Sequence, residues 1–206
     1  MSKLIFIGSG GHAKVLMDIL KKQGRATQVI AVVSKDNNID SNIFSNVVHL
    51  KNDDDVLSYP TEEVKLVNAI GFLPGNNIRK KISDFYHEKG YLFETIISID
   101  SIVSEYSKIN QGVQIFPGAI VQANVVIGNN TIVNTGSIIE HDSVIGADTH
   151  IAPRATICGG VYVSCNTFIG ANTTIIQNKK VGKNVIVGAG VTVKHDLEDH
   201  EFIKGS

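Results

Sequence analysis

Two short stretches of this sequence hold residues suited to chemistry. Glu140-His141-Asp142 sets a histidine between two carboxylates inside a run that is otherwise aliphatic, small and neutral. A histidine that is neutral near pH 7 suits a general base, and a nearby carboxylate can fix its tautomer and stabilise the imidazolium. Asp142 is the first candidate for that orienting acid and Glu140 the second; a turn here breaks strand alternation and leaves both in play. The other stretch, Gly8-Ser9-Gly10-Gly11-His12-Ala13, fits G-x-G-x-x-[GA]. There glycines permit a tight turn and close backbone approach, and free N–H groups at a helix start face a phosphate. His12, beside that turn, is expected to contact the ligand. Cys158 and Cys165 are the only cysteines and form no CxxC pair, which argues against a disulfide framework or a thiolate metal site. Cys165 follows Ser164 with no basic neighbour, so a covalent acyl-enzyme is not expected.

The elements that must position these residues follow from periodicity. From Ile97, every sixth residue through Val193 is Ile or Val, without an insertion. Four residues after each stands a small or β-branched residue, from Ser101 to Thr173, until Lys179 breaks that second pattern. A helix repeats near 3.6 and a simple strand at 2, so neither gives six. A short strand plus a corner does, and three such faces close a coil of eighteen residues whose stacking buries one aliphatic column. Gly128, Gly146, Gly170, Gly182 and Gly188 each follow an inward residue, where a corner is expected to need positive φ. Residues eighteen apart then stack, with Ala123 below His141 and Gly159 above it. That leaves room beside the ring, and the Gly159 N–H, one strand spacing of about 4.8 Å away, is a candidate oxyanion donor.

The N-terminal part reads as strand, glycine turn and helix. Leu4–Ile7 is a short buried strand, and Val15, Leu16, Ile19 and Leu20 recur at helical spacing up to Gly24. Strands are expected over 28–33 and 64–71, and an amphipathic helix in NIRKKISDFYHEKG. The expected fold class is α/β plus β, a small Rossmann-like βαβ domain over 1–95 and a parallel β-helix over 96–206. No clear acid follows the second strand at the ribose position; Ser34 and Lys35 stand there, with Asp36 next. That favours a mononucleotide or nucleotide-sugar over NAD.

Composition sets outer limits. The 206 residues carry a formal charge of −1 and are 43% hydrophobic, enough for one large or two small domains. The lack of net basic charge argues against nucleic-acid binding. The apolar run in MSKLIFIGSGG is too short for a signal peptide, no segment reaches membrane-spanning length, and the cytoplasm is the expected compartment.

The hexads resemble the left-handed β-helix of hexapeptide-repeat acyltransferases. With the glycine-turn domain attached, the whole chain resembles bacterial sugar acetyltransferases of the sialic acid O-acetyltransferase type, including enzymes that N-acetylate UDP-4-amino sugars and GDP-perosamine. The resemblance implies an acetyl-CoA-dependent transferase acting on a nucleotide-linked amino sugar, by direct transfer and as a homotrimer. It implies His141-Asp142 as the catalytic pair, and Gly10, Gly11, His12, Ser34, Lys35 and Gly71 as contacts to the nucleotide-sugar. His150 is implied near the thioester, with backbone contacts to the cofactor from Gly159, Ala171 and Ala189. Some related coils are carbonic anhydrases that bind metal through histidines. His141, His150 and His195 are the corresponding candidates, and no metal is expected. Two departures stand out. FLPGN follows Gly71 where shorter members have less, and the sequence ends HEFIKGS without the Gly-x-Pro-Ala-Lys-like tail of such enzymes. O-acetylation of a sialic acid, and a non-catalytic nucleotide-sugar-binding scaffold, are the alternative readings.

Overall fold

The computed structural model describes residues 2–36 and 39–205. It comprises two compact units, Met1–Ile96 and Ile97–Ser206.

In the first unit the chain runs β1 (Lys3–Ile7), α1 (Gly11–Lys22), β2 (Val29–Val33), β3 (Val48–Leu50), β4 (Val64–Asn68) and α2 (Ile78–Glu88). The sheet order is β3-β2-β1-β4, parallel throughout. β1 lies between two neighbours with Leu4–Ile7 buried, which is why it reads as an unbroken apolar run. β3 is an additional edge strand of three residues with no alternation to reveal it in the sequence. α1 buries Ala13, Leu16, Met17, Ile19 and Leu20. Val15, expected on that face, is exposed, and Met17 occupies the stripe instead.

The second unit is a parallel β-helix. Two-residue strands stack into three sheets. Each pairs residues eighteen apart, as Val126–Ile127 with Val144–Ile145 and Ile138–Ile139 with Thr156–Ile157. The second residue of each strand points inward, and the aliphatic series from Ile115 to Val193 forms one buried column. Burying each such side chain fully is worth about 1.5–3 kcal/mol against leaving it in water. The small residues four positions later close the column at the corners. Where they are hydroxylic they stay satisfied: Thr131, Ser143, Thr167 and Thr173 each donate to a carbonyl fifteen residues on, at 2.8, 3.0, 2.9 and 2.8 Å.

The corners differ from the expectation in one respect. Every sixth residue from Gly112 to Gly190 has positive φ, and none of Gly128, Gly146, Gly170, Gly182 and Gly188 is among them. The left-handed positions are filled by Asn, Asp or Gly, with Arg154 the exception, because that conformation strains most side chains. The five glycines after the inward residues serve close approach instead. A Cβ on Gly146 would lie 2.5 Å from the Cys165 nitrogen, and one on Gly170 2.6 Å from that of Ala189. Backbone of the next coil occupies the space a side chain would take.

Gly146→Ala should therefore destabilise the protein by about 1–3 kcal/mol, as overpacking against backbone does. Asn172→Gly, at a left-handed corner (φ 56), should change stability by only a few tenths of a kcal/mol, about the cost of ordinary surface changes. Urea unfolding of the two variants measures the contrast; equal effects would contradict the packing assignment.

Candidate active site

In the first unit, the turn between β1 and α1 faces the loop after β4 across a cleft of about 360 Å³. Gly8, Gly10, Gly11, His12, Ala69, Ile70, Gly71, Leu73 and Ile78 line it. Gly8 is required twice over. Its φ is 108, and a Cβ there would meet the Ile70 Cγ1 at 3.1 Å. At Gly10 and Gly11 a Cβ would meet nothing within 4 Å, so those glycines open space in front of the helix. α1 begins without a side-chain cap and without an acidic residue in its first turn, leaving the positive end of its dipole toward the cleft. Gly71 lies against His12, where an added Cβ would stand 3.7 Å from the histidine Cβ.

Ser34 is tied to this turn. The Ser9 hydroxyl donates to the Ser34 Oγ at 2.8 Å, and the Asp36 N–H donates to the same oxygen at 3.2 Å. His49 Nε2 lies 2.8 Å from the Ser34 carbonyl. Lys35 is exposed and does not line the cleft. The structure thus gathers Gly10, Gly11, His12 and Gly71 around one cleft, joins Ser34 to it through Ser9, and leaves Lys35 outside.

A feature of this region was not apparent in the sequence. Arg79 is 5% exposed, and its Nη1 donates to the carbonyls of Asn68 at 2.7 Å and Ile70 at 2.6 Å. Asn68 Nδ2 donates back to the Arg79 carbonyl at 2.9 Å and to Ser83 Oγ at 2.9 Å. The signal was the face that α2 buries, Arg79, Ser83 and Tyr86 at helical spacing, which a search for apolar stripes passes over.

In the second unit His141 and Asp142 form one corner of a coil. The imidazole Nδ1 lies 2.7 Å from Asp142 Oδ2. Two consecutive residues reach each other because Asp142 occupies the left-handed corner position (φ 61). Asp142 is therefore the acid at the ring, and Glu140 makes no hydrogen bond to it among the described residues. The other Asp142 oxygen accepts from Asn124 Nδ2 at 3.2 Å, from the corresponding corner one coil earlier. The His141 and Asn124 hydrogen bonds hold the Asp142 carboxyl below the usual aspartate range. With Nδ1–H donated to Asp142, the free lone pair sits on Nε2. That atom faces Gly159, where a Cβ would stand 2.8 Å from both Nε2 and Cε1. The Gly159 N–H donates to no group among the described residues. The pair itself is open to solvent, with side chains 65% and 58% exposed.

The remaining expected cofactor contacts lie elsewhere on the coil. His150 is in the strand His150–Ile151, 7% exposed, with Nε2 3.0 Å from Asn134 Nδ2 and its ring edge-on to Phe168. Ala171 and Ala189 follow Gly170 and Gly188 at a different corner from His141 and Gly159. Within one chain, then, only Gly159 joins His141. Among the described residues no three His, Cys, Asp or Glu side chains gather as metal ligands, and no helix is long and apolar enough to cross a membrane.

Comparison with known proteins identifies similar chains. Residues 3–86 match the family model of the PglD N-terminal domain. No curated protein matches in sequence. PerB from Caulobacter crescentus, solved in complex with CoA and GDP-perosamine, is 30% identical over 97% of this chain and 92% of that one, with a TM-score of 0.85. Two further structures of the perosamine N-acetyltransferase from that organism, also with CoA and GDP-perosamine, carry asparagine or alanine in place of a histidine. The acetyltransferase domain of PglB from Neisseria gonorrhoeae FA1090, in complex with acetyl coenzyme A, is 28% identical over 98% of this chain and 96% of that one, with a TM-score of 0.88.

Two outcomes follow from the corner geometry. Gly159→Ala should push the imidazole aside and loosen its bond to Asp142, so the Asp142 pKa should rise toward the ordinary aspartate value with the melting temperature nearly unchanged. Asn124→Gly preserves the left-handed corner but removes a donor to Asp142, so the Asp142 pKa should rise toward the ordinary aspartate value. The depressed carboxyl contributes stability that is complete above the ordinary range and lost as pH falls through its folded value. A carbon-13 carboxyl titration of the two proteins reads the shift; identical curves would remove Asn124 from the site.

Proposed function

Because the chain belongs to the hexapeptide-repeat sugar acetyltransferases that carry a PglD N-terminal domain, we propose that it transfers the acetyl group of acetyl-CoA to the amine of a nucleotide-linked amino sugar. The observation that carries the reading is the His141–Asp142 bond of 2.7 Å, which leaves Nε2 as a base facing the open side of Gly159.

The chemistry needs few groups. An ammonium has no lone pair, so the acceptor amine must be neutral when it attacks the thioester carbonyl carbon. His141 Nε2 takes the amine proton as the C–N bond forms, and Asp142 stabilises the imidazolium that results. The carbonyl oxygen becomes an oxyanion, for which the Gly159 N–H is a donor. Collapse breaks the C–S bond, and the imidazolium returns its proton to the thiolate of CoA. The cleft at the start of α1 holds the phosphates of the acceptor, with Gly10, Gly11, His12 and Gly71 as its contacts and Ser34 beside them. The solved relatives bound to CoA, acetyl coenzyme A or GDP-perosamine support both halves of this assignment. His150, Ala171 and Ala189 serve the cofactor, and because they lie away from His141 within one chain, a trimer supplies them across subunits. The reaction places the protein in the cytoplasm, where acetyl-CoA is made.

The test is release of CoA thiol from acetyl-CoA with a panel of UDP- and GDP-linked amino sugars and free sialic acid. Release with one nucleotide-linked amine, reduced about 10²–10⁴-fold in His141→Asn as expected for loss of a general base, is the predicted result. Release with sialic acid alone would reassign the enzyme to O-acetylation. Silence across the panel, with acetyl-CoA unbound, would reduce the coil to a scaffold.

A further inference from the structure

The cleft wall opposite the glycine turn is the segment Ala69-Ile70-Gly71, and it belongs to no regular element. Its position matters on two counts. The Ile70 side chain closes on Gly8, and Gly71 lies against His12. What holds it is the reciprocal pair of Asn68 and Arg79. One guanidinium nitrogen, Nη1, donates to the carbonyls on either side of Ala69, at Asn68 (2.7 Å) and Ile70 (2.6 Å). Asn68 completes the loop of bonds, taking the Ile70 N–H on Oδ1 at 3.3 Å and giving Nδ2 to the Arg79 carbonyl at 2.9 Å.

Burying a guanidinium is costly, and an apolar side chain of similar volume commonly serves a fold as well or better. Here the charge is buried at the second residue of α2, and the first, Ile78, lines the cleft. α2 also begins with no acidic residue in its first turn; Asn77 makes no side-chain cap, and the Ile78 N–H donates to Asn76 Oδ1 at 2.8 Å. The cleft is therefore walled mainly by apolar and glycine residues, with a buried guanidinium and the starts of two helices behind it. That arrangement favours an anion in the cleft over a neutral ligand of the same size, since a low-dielectric wall screens the charge poorly.

We propose that Arg79 is the positioning residue of the cleft. It pins the Ile70-Gly71 wall through two carbonyls and sets the affinity for the diphosphate of the acceptor without touching it. This rests on the reading of the cleft as the nucleotide-sugar site. Arg79 has no part in the acetyl transfer itself, so its effect falls on the acceptor KM and leaves kcat and the acetyl-CoA KM in place.

The experiment is calorimetric binding of GDP and of UDP to the full chain, wild type against Arg79→Lys and Arg79→Gln, at low and high salt, with the melting temperature of each. Lysine keeps the charge but lacks the planar fork; glutamine keeps a donor and loses the charge. The expected result is tight binding of one nucleotide by the wild type, weakened about ten- to hundredfold in Arg79→Gln, the scale of a charge-assisted hydrogen bond, and less in Arg79→Lys. The gap should narrow at high salt, and acetyl-CoA binding should be equal in all three. If the wild type binds a nucleotide and both folded variants bind it equally well, the role assigned to Arg79 is wrong and the cleft assignment stands. If acetyl-CoA binding falls in parallel with nucleotide binding and melting temperature, Arg79 is a structural residue only. If the wild type binds neither nucleotide, the cleft assignment and the role of Arg79 fall together.

Discussion

The left-handed backbone at every sixth residue is the constraint on which the second unit depends. An inward aliphatic side chain must recur on each face for the column to close, so the chain must turn at fixed intervals, and each turn needs a residue in a conformation that costs most L-residues about 1–2 kcal/mol. Asn, Asp and Gly meet that need with little strain. The same requirement builds the His141–Asp142 pair. At most corners the left-handed residue is Asn or Gly and its predecessor is unreactive, as at Ala123-Asn124 and Gly159-Gly160. At one corner the predecessor is His141 and the left-handed residue is Asp142, so a structural turn brings a carboxylate back onto an imidazole.

Stacking then supplies the surroundings of that pair. Coils eighteen residues apart put Asn124 within reach of the second Asp142 oxygen, and put the bare backbone of Gly159 against the ring. A rigid stack suits such a site because neighbouring coils are hydrogen-bonded corner to corner: the Asp142 N–H donates to the Ala123 carbonyl at 3.1 Å and the Gly160 N–H to that of His141 at 2.9 Å. The ring itself stands in solvent, so the scaffold orders the backbone while the exposed side chain is held by its carboxylate partner.

The first unit reaches a binding geometry by different means. Gly8 needs both its positive φ and its missing side chain, because the loop after β4 passes so close. The loop in turn is fixed from behind by a buried cation and an amide rather than by packing alone. A cleft between a helix start and an irregular loop would otherwise have one mobile wall, and irregular backbone needs its carbonyls satisfied when it is buried.

Periodicity made the coil legible. Ile or Val at every sixth position admits no helix and no simple strand, and the inward series from Ile115 to Val193 is the buried column. The glycine turn after an apolar run likewise located the start of α1. The left-handed corners lie two residues beyond the glycines expected to form them. Glycine is permissive for two separate reasons, and those after the inward residues serve close approach to the next coil, which no linear pattern distinguishes from positive φ. The short edge strand Val48–Leu50 and the buried Arg79 were hidden because each owes its state to neighbours distant in sequence. The sequence by itself determined the repeat, the residue types at the His141–Asp142 corner and the glycine turn, since these follow from local conformational preference and from burial at a fixed period. Only the tertiary structure decided that Asp142 rather than Glu140 meets the ring, that Gly159 must be bare, and that a guanidinium stands behind the cleft, because each depends on which atoms the stacked coils and the packed helix bring within hydrogen-bonding or van der Waals distance.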